Sequence, residues 1–295
     1  MRRTTPAGTA TVRLLCRRFG LSRQAYYGAQ RPPTAPRSLA TVAKLPARPA
    51  GTTAAELLAA IRAVVAREPA WGVRKVWATL RREGLRVSRR RVWALMHAHG
   101  LVLAPEREPG EPPPRGHVVV PEPNRRWATD LTTVWTKREG WVAIALTIDC
   151  GCRTLLGLDV TKDQSAPAIL RSIDAVLLEQ CGTASAVPAG LELRSEHGPQ
   201  YTGADCAELV KRWGLRHTVA PVGRPTGNAV VERVIRTMKE EVVWLQDWAD
   251  AAALRTALTA WQRRYNETRP HQALDWLTPA ERRAARLGAP TQVAA

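Results

Sequence analysis

The 295-residue sequence predicts a mixed α/β domain preceded by an all-α helix-turn-helix region. Three observations lead there. Between residues 52 and 102 the apolar residues recur at the helical spacing i, i+3, i+4, whereas after residue 125 they form β-like runs. Three such runs follow one another, and then helical and β-like patterns alternate, as in a mixed sheet with helices on both sides. Two proline-rich stretches, 30–51 and 103–124, cannot sustain helices and read as semi-rigid linkers. The expected organisation is a helical segment at 1–29, a linker at 30–51, a helix-turn-helix domain at 52–102, a linker at 103–124, a mixed α/β core at 125–270 and a tail at 271–295.

Each element has its own justification. "VRLLCRRFGLSRQAYYGAQ" reads as a short helix, a turn at Gly20 and a second helix capped by Ser22. Leu57, Ile61, Val64 and Val65 line one face of the next helix. Val73, Val76, Trp77 and Leu80 line another, and Val92, Leu95, Met96 and His99 a third. Ser88 suits the N-cap of that third helix and Gly100 its stop. The short "EGLRV" connection makes the last two a helix-turn-helix. Arg89, Arg90 and Arg91 then begin the recognition helix, where base edges or phosphates are met. Arginines there oppose the helix dipole unless an anion is near, so DNA contact is favoured over a solvated basic face.

In the core, "RWATDLTTVWT", "GWVAIALTIDC" and "RTLLGLDVT" read as strands joined by turns at Lys137–Gly140 and Cys150–Cys152. A helix in "SAPAILRSIDAVLLEQ" leads to a strand that ends in "RSEHGPQYTG". Then come a helix in "GADCAELVKRWG", a strand in "LRHTVAP", a long helix from about Thr226 to Trp244, and a helix in "ADAAALRTALTAWQRRYN".

The net charge of +18 is unevenly placed. Residues 1–126 hold 24 Lys/Arg and 7 Asp/Glu, or +17; residues 127–295 hold 20 and 19, or +1. An arginine-rich coding bias would act on both halves alike, so the asymmetry points to nucleic acid as partner. No apolar run approaches a membrane span and no secretory signal is evident, which favours a cytoplasmic protein, nucleoid-associated when bound to DNA. Five cysteines without a Cys-x-x-Cys indicate neither a zinc site nor a disulfide framework, so free buried thiols are expected.

Three acids stand out. Asp130 lies inside the first strand, where β-propensity discourages Asp. Glu196 ends the fourth strand, and Glu232 follows on the long helix with 35 residues between them. Acids from two strands and a helix can converge at one sheet edge and hold two divalent cations, Mg²⁺ or Mn²⁺. Two such ions clamp the attacking and leaving oxygens of an in-line phosphoryl displacement, where positioning and charge neutralisation supply the catalysis. Lys239, two helical turns past Glu232, is placed to hold a DNA phosphate, and Asn228 lies one turn before Glu232 on the same face. No single acid is specific, since Asp149 or Asp159 could equally cap a strand or pair with an arginine.

The set with its flanking residues is specific. "WATDLT", "HGPQYT" and "GNAVVERVIRTMKEE" resemble the three acidic motifs of the insertion-sequence family 3 transposases, of the type encoded by the second reading frame. "YNETRPHQALDWLTPAE" is similar to their C-terminal signature, "WGVRKVWATLRREGLRVSRRRVWALMHAHGL" to their helix-turn-helix, and "GLSRQAYY" to their N-terminal helix. The resemblance implies a ribonuclease H-like integrase core and a DDE-type polynucleotidyl transferase that cleaves and joins DNA at the inverted-repeat ends of its element. It maps the catalytic, metal-binding triad to Asp130, Glu196 and Glu232, and the basic helix residue to Lys239. It also implies a first-frame transposase partner and a homo-oligomer on DNA. Two departures are visible. The family carries Asp where this chain has Glu196, and Pro-Tyr-Asp where it has Pro225-Thr226-Gly227. The first keeps an alternative open: a DNA-binding protein whose integrase core has decayed, with impaired activity.

Overall fold

The computed structural model describes residues 52–104, 119–220 and 228–288. The helical segment and linker expected before residue 52, most of the second linker, and Pro225-Thr226-Gly227 lie outside the described residues. From Thr52 onward the chain is one compact unit.

It begins with three helices, α1 (Ala54–Arg67), α2 (Val73–Arg82) and α3 (Arg89–Ala98). Thr53 starts α1 with a reciprocal cap: its hydroxyl accepts from the Glu56 amide, and the Glu56 carboxylate accepts from the Thr53 amide. Ser88 caps α3 as expected, accepting from the Arg91 amide. The bundle core is Leu57, Ile61, Val64, Val76, Leu80, Val92 and Met96, closed by Trp71 and Val87. His99 shares the apolar spacing but, as a rim residue, is exposed. The helix has ended at Ala98, Gly100 turns left-handed (φ 66°), and the Leu101 amide bonds back to the Met96 carbonyl, so Leu101 packs against the core instead.

The sheet has five strands: β1 (Arg126–Thr136), β2 (Gly140–Asp149), β3 (Leu155–Thr161), β4 (Glu192–Ser195) and β5 (Arg216–Val219). They lie in the order β3-β2-β1-β4-β5, with β1, β2 and β3 antiparallel and β4 and β5 joining β1 in parallel. This is the ribonuclease H-like mixed sheet that the motifs implied. Helices α4 (Ala166–Cys181), α5 (Pro199–Thr202) and α6 (Ala204–Trp213) cover one face around Trp127, Ile169, Ile173, Leu193 and Trp213. Helices α7 (Ala229–Glu241) and α8 (Ala251–Glu267) cover the other around Ile144, Leu146, Val234, Met238 and Trp261. Gly157 lets α4 approach β3, since a Cβ there would run into Val176. Cys150, Cys152 and Cys206 are buried free thiols, and Cys181 is a partly exposed one.

The long helix expected to reach Trp244 stops at Glu241 and gives way to a 3₁₀ turn, Val243–Leu245. After α8 the chain folds back through a second 3₁₀ turn, Gln272–Leu274, and ends in α9 (Pro279–Leu287), which Thr278 and Glu281 cap reciprocally. This return segment grips the helical bundle. Glu241, 5% exposed, sits at the centre. Its carboxylate accepts from Trp71 Nε1 (3.1 Å) and Lys75 Nζ (2.9 Å) of the bundle, and from Trp261 Nε1 (3.1 Å) and Arg269 Nε (3.0 Å) of the core. Around it Arg82 forks onto Glu281 at 2.6 and 2.9 Å, Arg264 pairs with Glu68 at 2.9 Å, and Trp77 meets Trp276 edge to face at 5.7 Å. A buried carboxylate with this many charged donors is fully compensated, and removing one side of such a group strands the other.

Candidate active site and nucleic-acid interface

Asp130 stands in β1 just past the point where β4 stops pairing, since the parallel register of β1 with β4 ends at Ala128. Its side chain is half-buried and accepts from its neighbour's amide, Leu131, at 2.7 Å. Burial pushes the Asp130 carboxyl up to about 7, and the charges of Glu196 and Glu232 push the same way, while Lys239 opposes them. Glu232 is exposed on the first turn of α7 and is likewise raised, first by partial burial and then by Glu196. The fold thus brings the three acids into one electrostatic neighbourhood, with Lys239 beside them. Among the described residues they do not close into a ready metal-holding group, because Glu196 and Glu232 extend from exposed positions.

The positions of these groups follow from local structure. Glu196 comes directly after β4, whose last residue, Ser195, is pinned by the Ala220 amide on its carbonyl and by His217 Nε2, 2.9 Å from its hydroxyl. Glu232 is set by Asn228, which is buried at the start of α7 and donates from Nδ2 to the Thr129 carbonyl at 3.3 Å. That bond ties the start of α7 to the residue preceding Asp130. Sequence reading did not single out Ser195, His217 or Thr129. Only contacts across the fold reveal them.

Several oxygen atoms on residues next to Asp130 or at the start of α7 lack partners. Asn228 Oδ1 and Thr129 Oγ1 are buried without a hydrogen bond, and the Tyr201 hydroxyl of the "HGPQYT" stretch faces Thr129 without hydrogen-bond geometry. Buried polar atoms in this state call for water or an ion. An all-oxygen, mutually repelling set of carboxylates fits Mg²⁺ or Mn²⁺, which take carboxylate and phosphate oxygens.

The basic residues are split. Arg89, Arg90 and Arg91 are all exposed at the start of α3, and Arg91 also donates to the Thr52 carbonyl at 2.7 Å. No described helix is long and apolar enough to cross a membrane.

Comparison with known proteins agrees with this architecture. Residues 53–109 match the family described as an HTH-like domain, and residues 120–225 and 213–279 match two families each described as an integrase core domain. The transposase InsD of insertion element IS2A/D/F/H/I/K from Escherichia coli is 26% identical over 234 residues, covering 77% of this chain and 77% of the relative. The InsD transposase of element IS2-9 from Escherichia coli K12 is also 26% identical, over 77% of this chain and 76% of that one. Among solved structures, the simian T-cell lymphotropic virus intasome bound to a PP2A regulatory subunit covers 80% of this chain and 76% of its own, at 15% identity and a TM-score of 0.45. Residues 53–109 thus match an HTH-like domain in front of residues 120–279, which match integrase core domains. The chain is a homologue of the insertion-element transposases, as its motifs implied.

Proposed function

We propose that the chain is a DNA transposase subunit that cleaves the inverted-repeat ends of an insertion element and transfers the freed strand to target DNA. The observation that supports this best is the gathering of Asp130, Glu196 and Glu232 from β1, the end of β4 and α7, where the charges of Glu196 and Glu232 both act on Asp130 and that of Glu196 on Glu232. The same three carboxylates would hold Mg²⁺ or Mn²⁺, two ions in this reading. Bound there, divalent cations would neutralise the charge that builds on a phosphodiester. Lys239 binds a neighbouring phosphate, and Asn228, buried against the Thr129 carbonyl, fixes the start of α7 that carries Glu232. A water attacks the phosphodiester and releases a 3′ hydroxyl, which then attacks a second strand. Arg89, Arg90 and Arg91 hold the element end in the groove read by α3. The working form in this proposal is a homo-oligomer on DNA, joined by a first-frame partner, in the bacterial cytoplasm.

Nicking and joining of a labelled element end, with Mg²⁺ or Mn²⁺, tests this reading. Asp130→Asn and Glu232→Gln should each abolish both steps and leave DNA binding in place. Activity surviving either change would remove the acids from the chemistry. The open arrangement of the acids, with Glu196 where the family carries Asp, favours one other reading: a DNA-binding protein with a silent core. Wild type that binds the ends but cuts in neither metal would establish it.

A further inference from the structure

All eleven tryptophans lie within the described residues, and their environments differ sharply. Trp71, Trp127, Trp213, Trp248 and Trp261 are buried. The three most exposed, Trp135 (57%), Trp141 (58%) and Trp244 (65%), line a single groove of about 700 Å³ with Lys137, Lys239 and Leu245. One exposed tryptophan is ordinary, but several in one groove mark a binding surface.

The fold builds this surface deliberately. Trp135 and Trp141 are direct cross-strand partners where β1 turns into β2, and their rings meet edge to face at 5.6 Å and 78°. Gly140 closes that turn at φ 72°, a conformation L side chains rarely adopt, and the Trp135 ring lies in contact over it. An edge-to-face pair leaves ring faces uncovered, in keeping with the exposure of both. Trp244 comes from the opposite wall, on the 3₁₀ turn that follows α7.

Lys239 links the groove to the acid site. It lines the groove, shares α7 with Glu232 and acts on Asp130. Trp135 lies five positions beyond Asp130 along β1, about 16 Å of strand, a reach of a few nucleotides; the odd offset puts the two side chains on opposite faces, so a strand joining them passes the β1 edge by way of Lys239. We infer that this groove is a stacking platform for unpaired nucleotides beside the cleavage point; the inference rests on the transposase reading. Its chemistry is flat apolar rings with Lys239 and the Lys137–Asp247 ion pair (3.2 Å) at the rim, which takes a base by its face, with Lys239 for the backbone, without regard to sequence. Paired bases hide their faces in the duplex stack, so the ligand is single-stranded.

The test measures fluorescence anisotropy of the full chain on two labelled duplexes in the absence of divalent metal: one blunt, one with a five-nucleotide single-stranded tail. Wild type should prefer the tailed duplex. Trp244→Ala, and Trp135→Ala with Trp141→Ala, should each lower affinity for it by about fivefold or more, leaving blunt-duplex affinity unchanged, and Trp244→Phe should restore most of the loss. Equal losses on both duplexes, or no loss, would overturn the proposal. So would sedimentation showing that Trp244→Ala splits a wild-type dimer while tail affinity stands, which would make the groove an interface between copies. Wild type that nicks element ends with metal but shows no tail preference sinks the groove alone. Wild type that binds neither duplex sinks the transposase reading and this one with it.

Discussion

At the scale of single residues, the sharpest question is Glu196. It sits just beyond β4, on a strand end fixed by Ser195 and His217, so the backbone has little freedom to absorb a longer side chain. Glu exceeds Asp by one methylene, about 1.5 Å. A productive constellation tolerates roughly 0.5 Å, and an error near 1 Å can cost about a hundredfold in rate. Glu196→Asp should therefore raise strand cleavage in Mg²⁺ clearly, toward that hundredfold limit, with a smaller gain in Mn²⁺. Wild type outperforming the variant in the same assay would mean that the pocket has adapted to Glu. The exposure of Glu196 explains why the gain is expected to be partial: an exposed side chain can fold back at some entropic cost.

At the scale of elements, α3 and α7 carry the burden. Arg91 is partly committed to the Thr52 carbonyl, so truncating it disturbs the start of α1 as well as any DNA contact. Arg89→Ala with Arg90→Ala is the cleaner probe, and it should weaken binding to element ends by about tenfold or more while shallowing the salt dependence by nearly two. An unchanged titration by electrophoretic shift would take α3 out of the interface. The strands were legible in the sequence because β-branched and apolar runs end at turn residues, and β1 falls where "RWATDLTTVWT" placed it. The three acids stood out as a set through spacing and flanking residues, and the fold brings the charges of Glu196 and Glu232 to bear on Asp130. The end of α7 was not, because Val242, Val243 and Trp244 continue an apolar pattern that a helix would also show. Glu241 was invisible for a different reason. In "KEE" it looks like any surface acid, and its partners Trp71 and Lys75 lie 170 and 166 residues away. The tryptophan groove was equally hidden, since Trp135 and Trp141 read as ordinary strand residues.

At the scale of the whole molecule, the bundle and the core are held together by charge buried away from water, and this makes their union acid-sensitive. Burial works against the ionised form of Glu241, but Arg269 and Lys75 overcome it and hold its carboxyl at about 2, below the ordinary 4.5. His271 beside it is pushed down to about 3 from 6.5, first by burial and then by Arg269. Both shifts are depressions, so both groups add stability above their ordinary values and lose it as pH falls through them. The combined window runs from about 6.5 for His271 down to about 2 for Glu241. Limited proteolysis between α3 and β1 should accelerate on acidification across that range, and Glu241→Gln should be cut faster already at pH 7 with a flatter profile below 4.5. Equal cutting rates from pH 7 to 3 would show that the buried cluster does not hold the two parts together.

The same cluster has a consequence in time. Arg82 must wait for Glu281, made 199 residues later, before the bundle can dock. At 5–20 residues per second, that is an interval of roughly 10–40 s. Throughout it, a nascent chain displays its basic helices while the core that would restrain them is still being made. If the chain is the transposase proposed above, DNA lying near the ribosome can meet the HTH-like domain before the core that would cut it is complete.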